Sequence, residues 1–378
     1  MQNSNRPVRI LFFIENLSGG GAEKVLCNLV NEMDQSKFDI TVQTLWKADA
    51  GLYLKPGIRY RCCFDKKSKW NVNRSRIEAA AGLTYALHIK DDYDIEVAYL
   101  ECGATKIMAR STNRRAKKIA WVHCDLEMKM KNTQAFVEKA AKWYDRFDRV
   151  VCVSQNVKDS FDRLFGIPEK TSVLYNTVDD AEIRSKAEAA LPDLPEKHCL
   201  TAVTLGRLTN QKAYDRLLRV HKQLLADGHV YDLWILGEGA ERPKLEAYIS
   251  ENRLADSVKL LGFCANPYPY IKAADLLVCS SRYEGFSTFV TEGMILGKPV
   301  VTTDCTGMHE LLGDSEYGLI TGNSEEALHA GLRRMLEDPS LRERYAAKAA
   351  VRGRDFFARK LTESTERFLI ALLEENGL

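Results

Sequence analysis

The chain of 378 residues lacks several features that would assign it to common classes of protein. Its ten cysteines contain no Cys-x-x-Cys pair and do not cluster with the seven histidines, so the pattern predicts neither a zinc site nor a disulfide framework. No apolar run approaches the roughly 20 residues that are needed to span a bilayer. Lysine and arginine (54) barely exceed aspartate and glutamate (52), so a globally basic nucleic-acid-binding protein is not indicated.

The bulk composition is that of an ordinary globular protein, with 45% hydrophobic and 28% charged residues. The first residues contain only a short apolar run before polar residues and glycines, which predicts no secretion signal and a reducing cytoplasmic location. The length exceeds the size at which a single core usually stops growing, so two domains are expected.

Short β-branched and aromatic segments alternate with helical patterns through both halves of the chain. Examples are "VRILFFIE", "DIEVAYLE" and "KKIAWVHC" in the first half and "LTAVTLGR", "YDLWILG" and "DLLVCSS" in the second. This alternation is typical of parallel sheets that are covered by helices on both faces. It predicts an α/β fold of two Rossmann-like, doubly wound domains that face each other across a cleft.

The polar interval "NTVDDAEIRSKAEAALPDLPEKH" contains two prolines and no strand pattern, which predicts a linker at residues 181–197. The N-terminal domain would then span residues 1–180 and the C-terminal domain residues 198–353. Residues 354–378 have an amphipathic helical pattern without a following strand, and we expect this helix to brace the domains. Because ligands of doubly wound sheets bind at the carboxyl ends of the strands, the groove between the domains is the expected site.

The segment "ENLSGGGAEKVL" follows the first predicted strand and begins the first helix. Gly19, Gly20 and Gly21 would let the backbone approach a ligand, and the free N–H groups at a helix start favour an anion. A tight turn without a ligand is the alternative. A dinucleotide site is disfavoured, because the spacing is not G-x-G-x-x-G and the second strand lacks a following acid.

The segment "TLGRLTNQKAYDRLL" places two cations in the loop after the first strand of the second half. Arg207 and Lys212 together would favour a diphosphate, although a pair of solvated surface charges is the alternative. Gly237 and Phe263 stand at the ends of the next two strands, where a base or a ribose could bind.

The segment "SRYEGFSTFVTEGMILGKPVV" carries two glutamates around a turn. Glu284 follows a predicted strand, and Glu292 lies eight positions later on the next helix, so both carboxylates can face one site. The N–H groups at the helix start could hold a phosphate; a solvated helix start is the alternative. The turn consists of Gly285, Phe286, Ser287 and Thr288.

The string "EGFSTFVTE" resembles the E-x7-E element of the retaining family 4 glycosyltransferases, which have the GT-B fold of two Rossmann-like domains. Supporting matches occur in the order of the family: "SGGGAEK", "WVHCD", "YNTVD", "GRLTNQKAYDRLL", "ILGEGAERPKLE" and "GKPVVTTDCTGMHELLGDSEYGLI". The sequence departs from the usual pattern at Ala213, where glycine is common, and at Met308 and His309, where smaller residues are frequent. These departures bear on the identity of the donor.

The resemblance implies a role for each of the candidate residues. Arg207 and Lys212 would bind the donor's diphosphate and neutralise the leaving group, so that no cofactor and no divalent metal is required. Glu292 would accept hydrogen bonds from the ribose hydroxyls, and Glu284 would hold a hydroxyl of the transferred sugar. His123, in "AWVHCDLE", matches the sugar-contacting histidine of the family, although a lone histidine can also be purely structural. The glycine loop would approach the donor phosphate and the acceptor.

Basic residues accompany an aromatic residue in the first half of the chain. "DKKSKWNVNRSR" contains Trp70, and "ARSTNRRAKK" adds a second basic run. This mixture would suit an anionic membrane lipid or a lipid-linked pyrophosphate acceptor, and a solvated face is the alternative.

Taken with these residues, the resemblance implies a retaining glycosyltransferase of the cytoplasm, with peripheral contact at the inner face of the membrane. It would move a hexose-type sugar from a nucleotide diphosphate sugar, with UDP-sugar as the favoured donor. The acceptor would be a hydroxyl of a glycan or lipid-linked saccharide, as in surface polysaccharide assembly. The alternatives are a nucleotide-sugar epimerase or hydrolase of the same fold, and a catalytically inactive nucleotide-sugar-binding partner subunit.

Overall fold

A computed structural model describes residues 6–18, 20–48, 53–130, 132–190 and 195–375 of the chain. The chain forms two compact units, each of which is described by itself. The first unit consists of Met1–Thr177 together with Ala358–Leu378, and the second of Val178–Phe357.

The first unit contains a parallel sheet in the order β3-β2-β1-β4-β5-β6-β7 within the described residues. Its strands and the helices between them are, in chain order, β1 (Val8–Ile14), α1 (Gly21–Glu32), β2 (Phe38–Trp46), β3 (Arg59–Phe64), α2 (Lys69–Ala81), α3 (Thr84–His88), β4 (Ile95–Ala98), α4 (Gly103–Met108), β5 (Lys117–Val122), α5 (Leu126–Lys129), α6 (Thr133–Tyr144), β6 (Arg149–Cys152), α7 (Gln155–Phe165) and β7 (Thr171–Val173).

The central strand β1 is apolar on both faces. Ile10, Leu11, Phe12 and Phe13 are all fully buried. Because successive side chains of a strand point to opposite faces, a continuous apolar run fits a sheet that helices cover on both sides.

The second unit repeats the plan with a parallel sheet in the order β10-β9-β8-β11-β12-β13, again within the described residues. Its elements, followed by the last helix of the chain, are α8 (Asp180–Ala187), β8 (Thr201–Leu205), α9 (Tyr214–Ala226), β9 (Asp232–Leu236), α10 (Arg242–Glu251), β10 (Val258–Gly262), α11 (Tyr268–Ala273), β11 (Leu276–Cys279), α12 (Thr288–Ile295), β12 (Val300–Thr303), α13 (Met308–Leu312), β13 (Leu319–Thr321), α14 (Glu325–Glu337), α15 (Pro339–Gly353) and α16 (Ala358–Glu374). Both sheets confirm the prediction of doubly wound, Rossmann-like α/β units.

The strand order reverses at one place in each sheet, between β1 and β4 in the first unit and between β8 and β11 in the second. The loops that leave the carboxyl ends of such neighbouring strands diverge and leave a crevice. These reversal points therefore position the candidate sites.

The interval predicted as a linker contains helix α8. Asp179 caps it by accepting a hydrogen bond from the Glu182 N–H at 2.7 Å, and Ile183 and Ala187 are buried. The helix contacts α11 and α12 of the second unit. A short polar helix with only two buried positions has little periodicity, which explains why the sequence pattern did not reveal it.

Helix α16 returns to the first unit, where it contacts α1. The Glu366 carboxylate accepts a hydrogen bond from the Asp34 N–H at 2.7 Å, and Arg149 pairs with Glu375 at 2.5 Å. The helix predicted for residues 354–378 is thus present over 358–374 as part of the first unit. Within the described ranges, every helix is too short or too polar to cross a lipid bilayer.

Candidate functional site

The candidate residues of the second unit gather at the reversal point of its sheet. Arg207 and Lys212 lie in the loop that follows β8, and Glu284 lies in the loop that follows the neighbouring strand β11. The parallel topology thus brings together residues that are about 70 positions apart in the sequence.

Hydrogen bonds to backbone carbonyl groups join these two loops. The Arg282 N–H donates to the Gln211 carbonyl at 2.8 Å, and the Gln211 side chain donates to the Tyr283 carbonyl at 3.0 Å. The Ser280 hydroxyl donates to the Lys212 carbonyl at 2.8 Å. The loop that carries Lys212 is therefore held against the loop that carries Glu284.

Lys212 and Glu284 form an ion pair, with Nζ 2.6 Å from Oε1 and side chains that are 20% and 8% exposed. The Ser281 hydroxyl donates to the same carboxylate oxygen at 2.6 Å. Burial opposes the charge of Lys212, but the attraction of Glu284 outweighs it, so the pKa of Lys212 is raised above its ordinary value. The amine is fully charged at neutral pH.

Glycine is required where the strand ends of the second unit meet. Gly237 has a φ of 131°, and a Cβ there would lie 2.0 Å from the Gly206 carbonyl oxygen. Gly307 has a φ of 84°, and its Cβ would lie 2.5 Å from the Gly285 carbonyl oxygen. No side chain fits at these two positions, so the backbone is uncovered next to the loops that carry Lys212 and Glu284.

The start of α12 is well capped. Ser287 is buried, and its hydroxyl accepts a hydrogen bond from the Val290 N–H at 3.4 Å, while Thr288 is the first helical residue and is half-buried. Phe286 is buried and packs edge-on against Phe356, with ring centroids 5.6 Å apart. Phe286, one residue of the predicted turn, therefore has a packing role in this structure. The start of α12 remains suited to an anion.

Glu292 is buried on α12 and accepts a hydrogen bond from the Tyr268 hydroxyl at 3.2 Å. Arg207 is exposed, and its guanidinium has no hydrogen-bond or ion-pair partner among the described residues. Phe263 follows β10 and is largely exposed. Glu292, Arg207 and Phe263 are therefore candidate site residues because of where they lie in the second unit, and not because of a contact with Lys212.

In the first unit, His123 follows β5 and lies between aromatic rings. Its ring centroid is 4.7 Å from that of Tyr99 and 6.4 Å from that of Trp121. Both ring nitrogens are buried and have no hydrogen-bond partner within the described part of the chain. Burial lowers the pKa of His123 to about 4, although Glu101 opposes this shift, so the ring is neutral at pH 7.

Glu101 belongs to this site and escaped the sequence analysis. Its buried carboxylate accepts hydrogen bonds from the backbone N–H of His123 at 3.1 Å, the Cys124 thiol at 3.1 Å and the Lys129 amine at 2.5 Å. Burial opposes its charge, but Lys129 and His123 outweigh it and lower the pKa of Glu101 to about 2. Its position just after β4, at the reversal point, is the signal that could have found it.

A second carboxylate, Glu15, follows β1 on the other side of this reversal point. Burial, followed by repulsion from Glu101, raises the pKa of Glu15 above its ordinary value. The carboxyl ends of β1, β4 and β5 thus carry two glutamates and a neutral histidine.

The predicted glycine loop leads into the start of α1. Gly19 lies outside the described residues. The Gly20 N–H already donates to the Glu23 carboxylate at 3.0 Å, and Gly21 is the first residue of α1 with open space where a Cβ would point. In this structure the Glu23 carboxylate therefore accepts a hydrogen bond from an N–H group that was expected to be free to bind a ligand.

Comparison with known proteins decides the family. A model described as "Glycosyl transferases group 1" matches residues 194–352, and one described as "Glycosyltransferase Family 4" matches residues 19–182. Together the two matches cover most of the chain. The chain belongs to the family 4 type of GT-B glycosyltransferases. This confirms the resemblance that rests on the E-x7-E string.

Curated relatives are identical to this chain at about a third of the aligned positions. The N-acetylgalactosamine-N,N'-diacetylbacillosaminyl-diphospho-undecaprenol 4-alpha-N-acetylgalactosaminyltransferase of Campylobacter jejuni is 34% identical over 60% of this chain and 61% of its own. The lipopolysaccharide core biosynthesis glycosyltransferase LpsD of Rhizobium meliloti is 31% identical over 58% and 62%. Less than two thirds of the length of these relatives is matched.

Solved structures share the fold of this glycosyltransferase at lower identity. HepE of Anabaena, crystallised in complex with UDP, superposes with a TM-score of 0.77 at 21% identity, over 96% of this chain and 100% of its own. At this identity the likeness establishes the GT-B fold alone.

Proposed function

We propose that this protein transfers a hexose-type sugar from a nucleotide diphosphate sugar to a hydroxyl group of a glycan or lipid-linked saccharide. The observation that carries the proposal is the Lys212–Glu284 pair, 2.6 Å apart at the reversal point of the second sheet. A cation that would bind phosphate thus lies beside a carboxylate that would bind a sugar hydroxyl. Membership of the family supports the same reaction class.

The donor diphosphate would lie against Lys212, Arg207 and the N-terminus of α12. Lys212 is charged, Arg207 is exposed without a partner in the described residues, and the helix start offers backbone N–H groups. Positive charge of this kind stabilises the negative charge that grows on the leaving nucleotide diphosphate. The proposal therefore requires no divalent metal and no other cofactor.

The two glutamates would bind hydroxyl groups of the donor. Glu284 would hold a hydroxyl of the transferred sugar, because its carboxylate lies beside the cation that binds the diphosphate. Glu292 would accept hydrogen bonds from the ribose, with the Tyr268 hydroxyl fixing its orientation. His123, neutral and with ring nitrogens that have no partner among the described residues, is proposed as a further sugar-contacting residue.

The proposed reaction proceeds with retention of configuration. The bond between the anomeric carbon and the phosphate oxygen breaks, and the acceptor oxygen bonds to the same face of that carbon. The leaving phosphate oxygen takes the proton of the acceptor hydroxyl. No residue of this chain forms a covalent intermediate in this scheme.

A UDP-sugar is the proposed donor, and HepE, which was crystallised with UDP and with UDP-glucose, supports this choice. A lipid-linked saccharide is the proposed acceptor, supported by the diphospho-undecaprenol in the name of the Campylobacter relative and the lipopolysaccharide core in that of LpsD. Such an acceptor would require the enzyme to work in peripheral contact with the cytoplasmic face of a membrane.

The proposal is tested by donor binding and then by transfer. Purified protein is screened against UDP-, GDP- and ADP-sugars for thermal stabilisation, and we expect UDP-sugars to raise the melting temperature most. Transfer to a lipid-linked saccharide is then measured for the wild type and for Arg207→Ala/Lys212→Ala. Near-normal rates in this variant would refute the diphosphate site.

A matched variant controls for the loss of two cations. Arg333 and Arg334 are exposed on α14, away from the loops of the candidate site, so Arg333→Ala/Arg334→Ala should retain full activity. Release of free sugar or of an epimer without any acceptor would instead favour the hydrolase or epimerase alternative.

A further inference from the structure

Helix α2 of the first unit directs polar residues inward and large apolar residues outward. Its buried residues are Ser75 and Glu78, whereas Trp70 and Ile77 are each 68% exposed. Most surface helices show the opposite arrangement, with an apolar stripe toward the core. Since Trp70 and Ile77 are seven residues, or about two turns, apart, they share one face of the helix.

The inward face of α2 is attached by polar contacts. The Glu78 carboxylate accepts hydrogen bonds from Arg74 Nε at 2.6 Å and pairs with His88 Nε2 at 2.8 Å. Burial opposes the charge of Glu78, but His88 and Arg74 outweigh it and lower its pKa. Arg74 also lies over the ring of Trp70, 5.5 Å from its centroid, but Trp70 and Ile77 both remain 68% exposed.

The exposed apolar residues continue onto α3, which contacts α2. Leu83 and Leu87 are four residues apart and are 49% and 43% exposed. Of the nine large hydrophobic residues that are exposed in the described ranges, four therefore fall within residues 70–87. Single exposed apolar residues are common on protein surfaces, but clusters mark interaction sites.

Cations surround this cluster. Residues 65–77 contain five basic residues and one acidic residue, Asp65. Lys66, Lys69 and Arg76 are exposed, and in the part of the chain that the structure describes they form no ion pair. We call Trp70, Ile77, Leu83 and Leu87, together with these three cations, the α2–α3 face.

Apolar side chains with uncompensated cations beside them are complementary to an anionic lipid surface. The apolar side chains insert at the level of the headgroups, and the cations contact lipid phosphates. A second copy of the chain would bring like charges together and is disfavoured.

We propose that the α2–α3 face docks this protein on an anionic membrane surface, with Trp70 and Ile77 inserted among the lipid headgroups. The inference rests on the proposed function for its purpose, because it names the surface that brings the enzyme to a lipid-linked acceptor. In this proposal, helices α2 and α3 hold the enzyme at the membrane that contains the acceptor.

Vesicle flotation tests the proposal without donor or acceptor. The wild-type protein is mixed with vesicles of phosphatidylcholine alone or with about one quarter phosphatidylglycerol, and the bound fraction is measured after centrifugation. We expect binding to the anionic vesicles, weak binding to the neutral ones, and loss of binding at high salt.

Two variants separate the apolar and the cationic contributions. Trp70→Ala/Ile77→Ala should weaken binding about tenfold or more, because two inserted side chains are removed. Lys66→Gln/Lys69→Gln/Arg76→Gln should weaken it about 100-fold, since each cation near an anionic surface contributes a factor of about five. All five side chains are exposed, so both variants should fold, which circular dichroism verifies.

Matched controls lie in the second unit. Val230→Ala/Val351→Ala removes two other exposed apolar side chains, and Arg333→Gln/Arg334→Gln/Lys348→Gln changes the net charge by the same amount. Both controls should bind like the wild type.

Three outcomes would overturn the proposal: no binding of the wild type to anionic vesicles, unchanged binding of both α2–α3 variants, or an equal loss in the controls. Self-association that Trp70→Ala/Ile77→Ala abolishes would overturn it in favour of a dimer interface. Because no sugar is transferred in this assay, an enzyme that binds vesicles but lacks transferase activity would refute the proposed function alone. An enzyme that transfers sugar but does not bind vesicles would refute only the docking surface.

Discussion

The replacement of Lys212 by methionine separates what this residue does for stability from what it does for the reaction. In the folded chain Lys212 neutralises Glu284, whose side chain is only 8% exposed. Without the cation, Glu284 would be a buried carboxylate that, among the described residues, keeps only the hydrogen bond from the Ser281 hydroxyl. Both stability and sugar transfer should therefore fall.

The magnitude follows from the burial of the pair. Breaking a fully buried ion pair costs roughly 3–5 kcal/mol, and the 20% exposure of Lys212 reduces this to about 2–4 kcal/mol. For a unit of this size, each kcal/mol lowers the melting temperature by about 2–4 °C, so a decrease of about 4–16 °C is expected in calorimetry.

The double variant Lys212→Met/Glu284→Gln provides the control. It removes the buried charge as well as the cation, and glutamine still accepts the Ser281 hydrogen bond, so most of the stability should return. Transfer activity should not return, because the diphosphate still lacks its cation and the sugar hydroxyl lacks the Glu284 carboxylate.

The pair is intact at the pH of this experiment. The pKa of Lys212 is raised above the ordinary 10.5, so its stabilising contribution is complete below that value and is lost only as the pH rises through the raised pKa. If Lys212→Met and Lys212→Met/Glu284→Gln melted at the same temperature, the argument from the buried ion pair would be refuted. A double variant with restored transfer would show that Lys212 acts through stability alone.

Four further predictions concern the donor, the metal, the first unit and the strand ends. Glu292→Ala should weaken UDP-sugar binding by about one to three kcal/mol in titration calorimetry, as loss of a charged hydrogen-bond acceptor does. A chelator should leave the transfer rate unchanged, because fixed cations neutralise the leaving group. The folded-state pKa of His123 lies below its ordinary 6.5, so its contribution to stability is complete above pH 6.5 and is lost as the pH falls toward about 4. His123→Gln should therefore flatten the dependence of melting temperature on pH in this window. Gly237→Ala should destabilise the second unit by well over 1 kcal/mol, since its Cβ would lie 2.0 Å from the Gly206 carbonyl oxygen.

Each of these predictions has a contrary outcome. Unchanged calorimetric affinity of Glu292→Ala would count against its ribose contact, and strict metal dependence would contradict the cation argument. An unchanged pH slope in His123→Gln would show that other groups titrate there. Gly228→Ala is the control for strain alone, because Gly228 has a φ of 93° but open space where a Cβ would point. Equal losses in Gly228→Ala and Gly237→Ala would refute the steric argument.

Much of the fold was predictable because the strands are short, apolar on both faces and separated by amphipathic helices. The strand "VRILFFIE" corresponds to β1, Val8–Ile14, and "DLLVCSS" includes β11, Leu276–Cys279. Where an element is short or polar the periodic signal fails, as it did for α8. The sequence also could not indicate that α16 belongs to the first unit, because that contact joins the two ends of the chain.

The candidate site was predictable in its residue types and less so in its contacts. Lys212 and Glu284 were both named from the sequence, but their direct ion pair depends on the pairing of two loops that are far apart in the chain. Glu101 was missed because a glutamate after a strand is unremarkable until its neighbours are known. Gly20 was expected to bind an anion, and the structure shows its N–H bonded to Glu23.

The amino-acid sequence by itself determined the α/β plan, the two units and the family, because local periodicity and short motifs are properties of consecutive residues. Tertiary structure alone decided which charges meet, which glutamates are buried and which face of α2 is left apolar and exposed. These properties depend on strand order and on packing between distant segments, which create the low-polarity surroundings that shift a pKa or leave a side chain without a partner.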